Sequence, residues 1–171
     1  MAHFAQINSD DNIVIKVVVM NDAECAANGG VDSDQCATWV NSTIPDDEWT
    51  ADTYYDGNYP QNTYVKRCDP QTQYNEHVDG GTPFRGNYPA HGFSYDSATD
   101  KFIPPKLYSS WVFNTSRCDW EPSFGFPTRN HGEKTLNWTW DDDNQRWIGQ
   151  DFENTTSLVW SSTSTAWEIP S

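Results

Sequence analysis

Hydrophobic and polar positions along this chain alternate in short runs, and they almost never show the spacing of a helix. Phe4 to Ile7 reads as a short strand, Asn8-Ser9-Asp10-Asp11-Asn12 as a polar turn, and Ile13 to Met20 as a β-branched run. Together they predict an N-terminal hairpin whose second strand is buried on both faces, since a continuous apolar run leaves no polar face for water. Asn21 to Pro45 reads as acidic loop, with Asn28-Gly29-Gly30 as a turn. Within it, Ser33 to Val40 is the one credible helix, with Ser33 or Asp34 as its cap. Trp49 to Val65 alternates as half-buried strands around a turn at Asp56-Gly57-Asn58. Lys66 to Thr82 reads as polar loop, and Phe84 to Pro89 leads into a different pattern.

That pattern is a repeat. Its units are Phe93-Ser94-Tyr95-Asp96 with Phe102, Trp111-Val112-Phe113-Asn114 with Trp120, Trp138-Thr139-Trp140-Asp141 with Trp147, and Leu158-Val159-Trp160-Ser161 with Trp167. In each, the second ring and the third are seven residues apart, and Asp, Asn or Ser directly follows the second ring. An odd separation lets two side chains meet across a tight antiparallel hairpin. The predicted pairs are Tyr95:Phe102, Phe113:Trp120, Trp140:Trp147 and Trp160:Trp167. Cross-strand aromatic pairs add roughly 0.2–1 kcal/mol each beyond burial. The Asp, Asn or Ser closes the turn by accepting a backbone bond from two residues on. Unit starts are 18, 27 and 20 residues apart. A propeller or solenoid needs a steadier period, so a meander or a small stack of hairpins is expected.

Composition agrees. Only three leucines occur, Leu107, Leu136 and Leu158, against 9 Trp, 8 Tyr and 8 Phe. Few aliphatics and many rings favour strands. The expected fold is therefore all-β, an N-terminal hairpin plus short antiparallel aromatic hairpins, with at most one short helix. Residues 1–90 form a β region with long loops and 91–171 the four-hairpin region, either as two parts or as one continuous domain.

The formal net charge of −15 argues against nucleic acid, whose binding needs a basic footprint, and against anionic membrane surfaces. The start, Met1-Ala2-His3-Phe4, is no secretory leader, and Ile13 to Met20 is far too short to span a bilayer, so synthesis in a cytoplasm is expected. Cys25, Cys36, Cys68 and Cys118 have no zinc or redox spacing. They read as partly buried thiols, with a Cys25–Cys36 bridge across a loop open in an oxidising environment. His3, His77, His91 and His131 lack catalytic-zinc spacing. Asp141-Asp142-Asp143-Asn144 offers several oxygens in one turn but lacks the glycine and distal glutamate of a calcium loop, and Asp46-Asp47-Glu48 reads likewise as solvated. No nucleophile elbow or phosphate loop occurs. Carboxylates beside tryptophans are what a glycosidase uses, yet such pairs arise by chance among 25 acids. Four glycosylation sequons, at Asn41, Asn114, Asn137 and Asn154, are expected by chance in an Asn- and Thr-rich chain. Neither a catalytic residue, a cofactor nor a metal is therefore expected. Surface rings can stack on sugars or on a protein partner, and Trp111, Trp138, Trp160 and Trp167 are the candidate contact residues; the competing reading is that most rings are core.

Several stretches carry a resemblance. They are Met1 to Ile7 followed by Asn12 to Val19, Phe84-Arg85-Gly86-Asn87-Tyr88-Pro89-Ala90 leading to Phe93-Ser94-Tyr95-Asp96, and Phe102-Ile103-Pro104-Pro105-Lys106 with Ser110 to Asn114 and Cys118 to Pro122. These resemble a family of small virion structural proteins of tailed bacteriophages, notably cyanophages. The resemblance covers the N-terminal hairpin and residues 84–147 well, covers 21–83 poorly, and leaves 149–171 as an added fourth hairpin. It implies particle structure rather than catalysis: a capsid decoration or cement protein, or an accessory head or tail protein, in many symmetric copies beside capsid or tail proteins of the virion. The alternative is a carbohydrate- or host-receptor-binding module of the particle.

Overall fold

The computed structural model describes residues 1–44, 62–128, 130–131, 134–150 and 157–170. The expected strands over 49–61 with their turn at 56–58, the acidic run 46–48 and the sequon at Asn154 lie outside the described residues. The architecture is mostly β, as the alternation predicts, and divides into two compact units. Unit 1 comprises Met1–Pro105 with Thr115–Asp119, and unit 2 comprises Lys106–Asn114 with Trp120–Ser171.

Unit 1 begins with the expected hairpin, β1 (Ala2–Asn8) and β2 (Val14–Met20). Two helices follow, α1 (Asp22–Ala27) and α2 (Asp34–Thr43). Ser33 caps α2 as expected, its hydroxyl accepting from the Cys36 N–H at 3.0 Å. The helix α1 falls in a stretch read as loop; Asn21 caps it through the Ala23 N–H, and one turn and a half leaves too little periodicity to see. Next comes β3 (Thr63–Cys68), which pairs with β1, giving the order β2-β1-β3. Burial shifts accordingly. The strand enclosed on both sides is the central β1, where Phe4, Ala5, Gln6 and Ile7 are all buried, whereas β2 is an edge strand that buries Val14 and Ile15 and exposes Val19. The β-branched run thus marks a strand but not its depth.

Residues 66–82, read as loop, hold the end of β3 and a small hairpin of β4 (Thr72–Gln73) and β5 (Glu76–His77). Its turn residues Tyr74 and Asn75 both have positive φ, 53° and 59°, as a type I′ turn demands. The unit's last hairpin is β6 (Ser94–Asp96) with β7 (Lys101–Ile103). It packs on the first: Ile7, Val14, Tyr95 and Phe102 share one core, and the Val14 N–H donates to the Phe93 carbonyl at 2.7 Å. The first compact unit runs on to Pro105, because the first aromatic hairpin completes the N-terminal core.

Unit 2 holds β8 (Val112–Asn114) with the rest of β9 (Asp119–Glu121), the short pair β10 (Asn130–His131) and β11 (Lys134–Thr135), then β12 (Asn137–Asp141), β13 (Arg146–Gln150), β14 (Ser157–Ser161) and β15 (Ala166–Glu168). The last four form one antiparallel meander in chain order. Ile148 stands opposite Val159, so the third and fourth hairpins join as a single sheet.

The ring pairs occur as predicted. Tyr95 faces Phe102, Trp140 faces Trp147 and Trp160 faces Trp167 in register, with centroids 5.3, 5.0 and 5.4 Å apart. Phe113 meets Trp120 at 5.2 Å. Each hairpin has a four-residue loop whose last residue is left-handed: Asp100, Cys118, Gln145 and Thr165, with φ between 50° and 53°. Turn-closing bonds are seen at Asp96, Asp141 and Ser161. Asp96 accepts from the Ala98 N–H two residues on, whereas Asp141 and Ser161 reach one residue further, to the Asn144 and Ser164 N–H. Asn114 donates across the strands to Glu121 at 2.7 Å.

The N-terminal hairpin proves to be a fifth copy. Ile7 stands opposite Val14, seven residues on; Asn8 follows Ile7 and accepts from the Asp10 N–H; and Asn12, two residues before Val14, is left-handed with φ 62°.

Candidate functional site

The ring cluster of unit 2 grows from this hairpin geometry. Period-two alternation puts Trp140, Trp147, Leu158, Trp160 and Trp167 on one face of the meander, where Leu136 joins them in a buried core. Tyr108, Trp111 and Trp138 pack against it, partly buried. Phe124 and Phe126 lie further out, 37 % and 41 % exposed. Phe126 sits 5.7 Å from Trp111, 5.6 Å from Trp147 and 6.4 Å from Trp138, and Phe124 lies 5.6 Å from Trp140.

The four candidate contact residues therefore separate. Trp160 and Trp167 are 8 % and 4 % exposed, so they are core and not surface. Each is the other's cross-strand partner, and the Trp167 indole N–H donates to the Thr128 carbonyl at 2.8 Å. Trp111 and Trp138 remain half-buried and reach the outer rings. Trp138 meets Trp147 at 4.7 Å and 81°, edge to face. The sequence pattern missed Phe124 and Phe126, which lie between hairpins and outside the repeat. The buried indole N–H of Trp111 has no hydrogen-bond partner among the described residues. An unmet buried donor costs about 1–3 kcal/mol.

Asp142 anchors the edge of this cluster. Its carboxylate accepts from the N–H and hydroxyl of both Ser109 and Ser110 and from the Trp140 indole N–H at 2.9 Å. The Ser110 hydroxyl, then Ser109 and Trp140, hold its carboxyl well below the usual carboxylate range. The neighbouring Asp141 binds Asn144 and Arg146. The carboxylates of Asp141 and Asp142 are thus both engaged by side chains and backbone. Among the described residues, no group of three His, Cys, Asp or Glu is placed to hold a metal ion. His3 bonds the Tyr88 hydroxyl at 3.0 Å and His77 stands 3.6 Å from Asp69.

Unit 1 carries a cleft of about 310 Å³. Two guanidinium groups lie over the Phe84 ring there, Arg67 at 5.1 Å and Arg85 at 4.7 Å. Both cations are already matched: Arg67 binds Asp32, and Arg85 binds Asp100 at 2.7 Å and the Arg67 carbonyl. Burial pushes the Asp100 carboxyl up, but the Tyr95 hydroxyl and Arg85 outweigh it and hold the group below its ordinary range. Paired charges of this kind brace the walls of a cleft and leave little charge for a ligand.

All four cysteines are unbridged and buried. Among the described residues, no helix is long and apolar enough to cross a membrane. No known protein family, curated protein or solved structure matches the chain.

Proposed function

We propose that this chain is a structural protein of a bacteriophage virion: a capsid decoration or cement protein, or an accessory protein of the head or tail surface. The observation that carries the reading is the fivefold hairpin, which invests the sequence in rigid, self-registered scaffolding with polar loops outward. Each larger sheet also ends on edge strands. In the described residues, β2 and β3 bound the three-stranded sheet and β12 and β15 bound the four-stranded one, and such edges accept a neighbour's strand. The formal charge of −15 keeps crowded copies soluble and apart until specific contacts form. The segment resemblance to phage structural proteins points the same way. Protein analysis of gradient-purified particles tests it: the chain co-purifies at constant stoichiometry, and its absence from the particles defeats the reading.

A second reading is favoured by one feature, the outer rings Phe124 and Phe126 beside Trp111 and Trp138. Such a group suits a carbohydrate- or receptor-binding module of the particle. Titration against host surface polysaccharide, with Trp138→Ala and Phe126→Ala as controls, decides it; binding that both variants retain removes it.

A further inference from the structure

Two buried thiols stand together in the first core of the protein. Cys25 on α1 and Cys36 on α2 are both fully shielded from solvent and belong to one cluster with Phe4, Val40 and Val65. The segment between them is held by a relay of hydrogen bonds. Gly30 N–H donates to the Cys25 carbonyl at 2.8 Å, Ser33 N–H to the Gly30 carbonyl at 3.0 Å, and Cys36 N–H to the Ser33 hydroxyl at 3.0 Å. The relay folds the connection back on itself, and both thiol side chains are buried in the same small core. Cys68 lies in a different core cluster, and Cys118 is buried among other residues.

We propose that Cys25 and Cys36 are a dithiol that closes into an intrachain disulfide when the protein meets a low-molecular-weight disulfide, tying α1 to α2. One thiol loses its proton and attacks a sulfur of the small disulfide, expelling a small thiolate that takes up the proton. The second cysteine, deprotonated in turn, attacks the chain sulfur of the mixed disulfide and expels the second small thiolate. Two protein thiols are oxidised, and one small disulfide is reduced to two thiols. Burial, and then the neighbouring Cys36, push the Cys25 thiol up to about 11, so little thiolate exists near neutral pH and the closed core reacts slowly. Reaction goes through opening of α1, a helix of six residues with a single buried side chain. A chain made in a reducing compartment stays open, and one released into an oxidising medium becomes bridged. The inference stands on the two helices alone and is independent of the proposed function.

The test uses the full chain, native, incubated with oxidised glutathione, then unfolded, alkylated and mapped by peptide mass. Expected are the loss of two hydrogens, a 25–36 linkage, Cys68 and Cys118 still open to alkylation, and a melting temperature raised by roughly 5–10 °C. A bridge that includes Cys68 or Cys118, a glutathione adduct that persists, or four unreacted thiols under conditions that oxidise the unfolded chain each overturns it. The Cys25→Ala variant provides a second reading: Cys36 then ends as thiol or mixed disulfide, and an internal bridge from Cys36 would overturn the assignment.

Discussion

Replacing Trp167 by alanine tests whether the ring pairs hold unit 2 together. The indole is 4 % exposed, packs at 69° on Trp160 and caps the Thr128 carbonyl. Its Cζ3 would stand only 2.8 Å from a Cβ built on Gly149, so the meander is closely fitted around it. Truncating a buried tryptophan costs about 3–5 kcal/mol, and the orphaned carbonyl adds about 1 kcal/mol. A folded unit of this size is stable by only about 3–9 kcal/mol. Trp167→Ala is therefore expected to bring unit 2 to the edge of unfolding while unit 1 stays folded. Trp167→Phe, which keeps a ring and loses the N–H, should cost about half as much. Tryptophan fluorescence follows unit 2, since Trp39 and Trp49 aside every tryptophan belongs to it. Amide hydrogen exchange then separates the units: protection falls across β13 and β14 and persists in β1. A cost below about 1 kcal/mol, or equal loss of protection in β1, would refute the reasoning.

Three further outcomes follow from the same geometry. Gly149→Ala places a methyl 2.8 Å from Trp167 and 3.0 Å from Leu136, so it should destabilise unit 2 by about 1–3 kcal/mol in urea unfolding. Thr165 is β-branched and left-handed at φ 51°; Thr165→Gly relieves that conformation and should stabilise unit 2 by about 0.5–1 kcal/mol, read as a higher urea midpoint at unchanged slope, whereas a lowered midpoint would contradict it. The Asp142 carboxyl is held below its unfolded value, so its contribution is fully present above the ordinary carboxylate range and is lost progressively as pH falls from that range towards the lower folded value. Melting of unit 2 below about pH 4 should thus show an acid decline that Asp142→Asn makes shallower, and an identical decline in the variant would refute the assignment.

The sequence made the four ring pairs legible because their seven-residue spacing is local and leaves one way to close. It also gave the Ser33 cap, a signal carried by a single side chain. The N-terminal hairpin was legible too, but its kinship to the repeat stayed hidden because Ile7 and Val14 fill the ring positions with aliphatics. Nothing local could reveal that β3 joins β1, a partner more than 50 residues away, or that β1 rather than the more apolar β2 becomes central. The left-handed loop residue escaped notice because Cys118, Gln145 and Thr165 are not the types that usually mark it. For the candidate surface, burial was decided by neighbouring hairpins: β13 pairing with β14 brings Gly149 against Trp167 and takes Trp160 and Trp167 out of reach. Phe124 and Phe126 carry no spacing signal at all.

The five loops have one shape and no shared residue at the left-handed position, where Asn12, Asp100, Cys118, Gln145 and Thr165 differ in size, charge and branching. Each hairpin therefore carries its own register, independent of any other copy. A lone hairpin is marginal in water, so it must find a cover. Ile7 and Val14 find it in Tyr95 and Phe102, and Trp140 and Trp147 find it in Trp160 and Trp167. A chain organised in this way can lengthen or shorten by whole cassettes, without renegotiating the pairings it has already made, provided that each new hairpin arrives beside one that needs a cover.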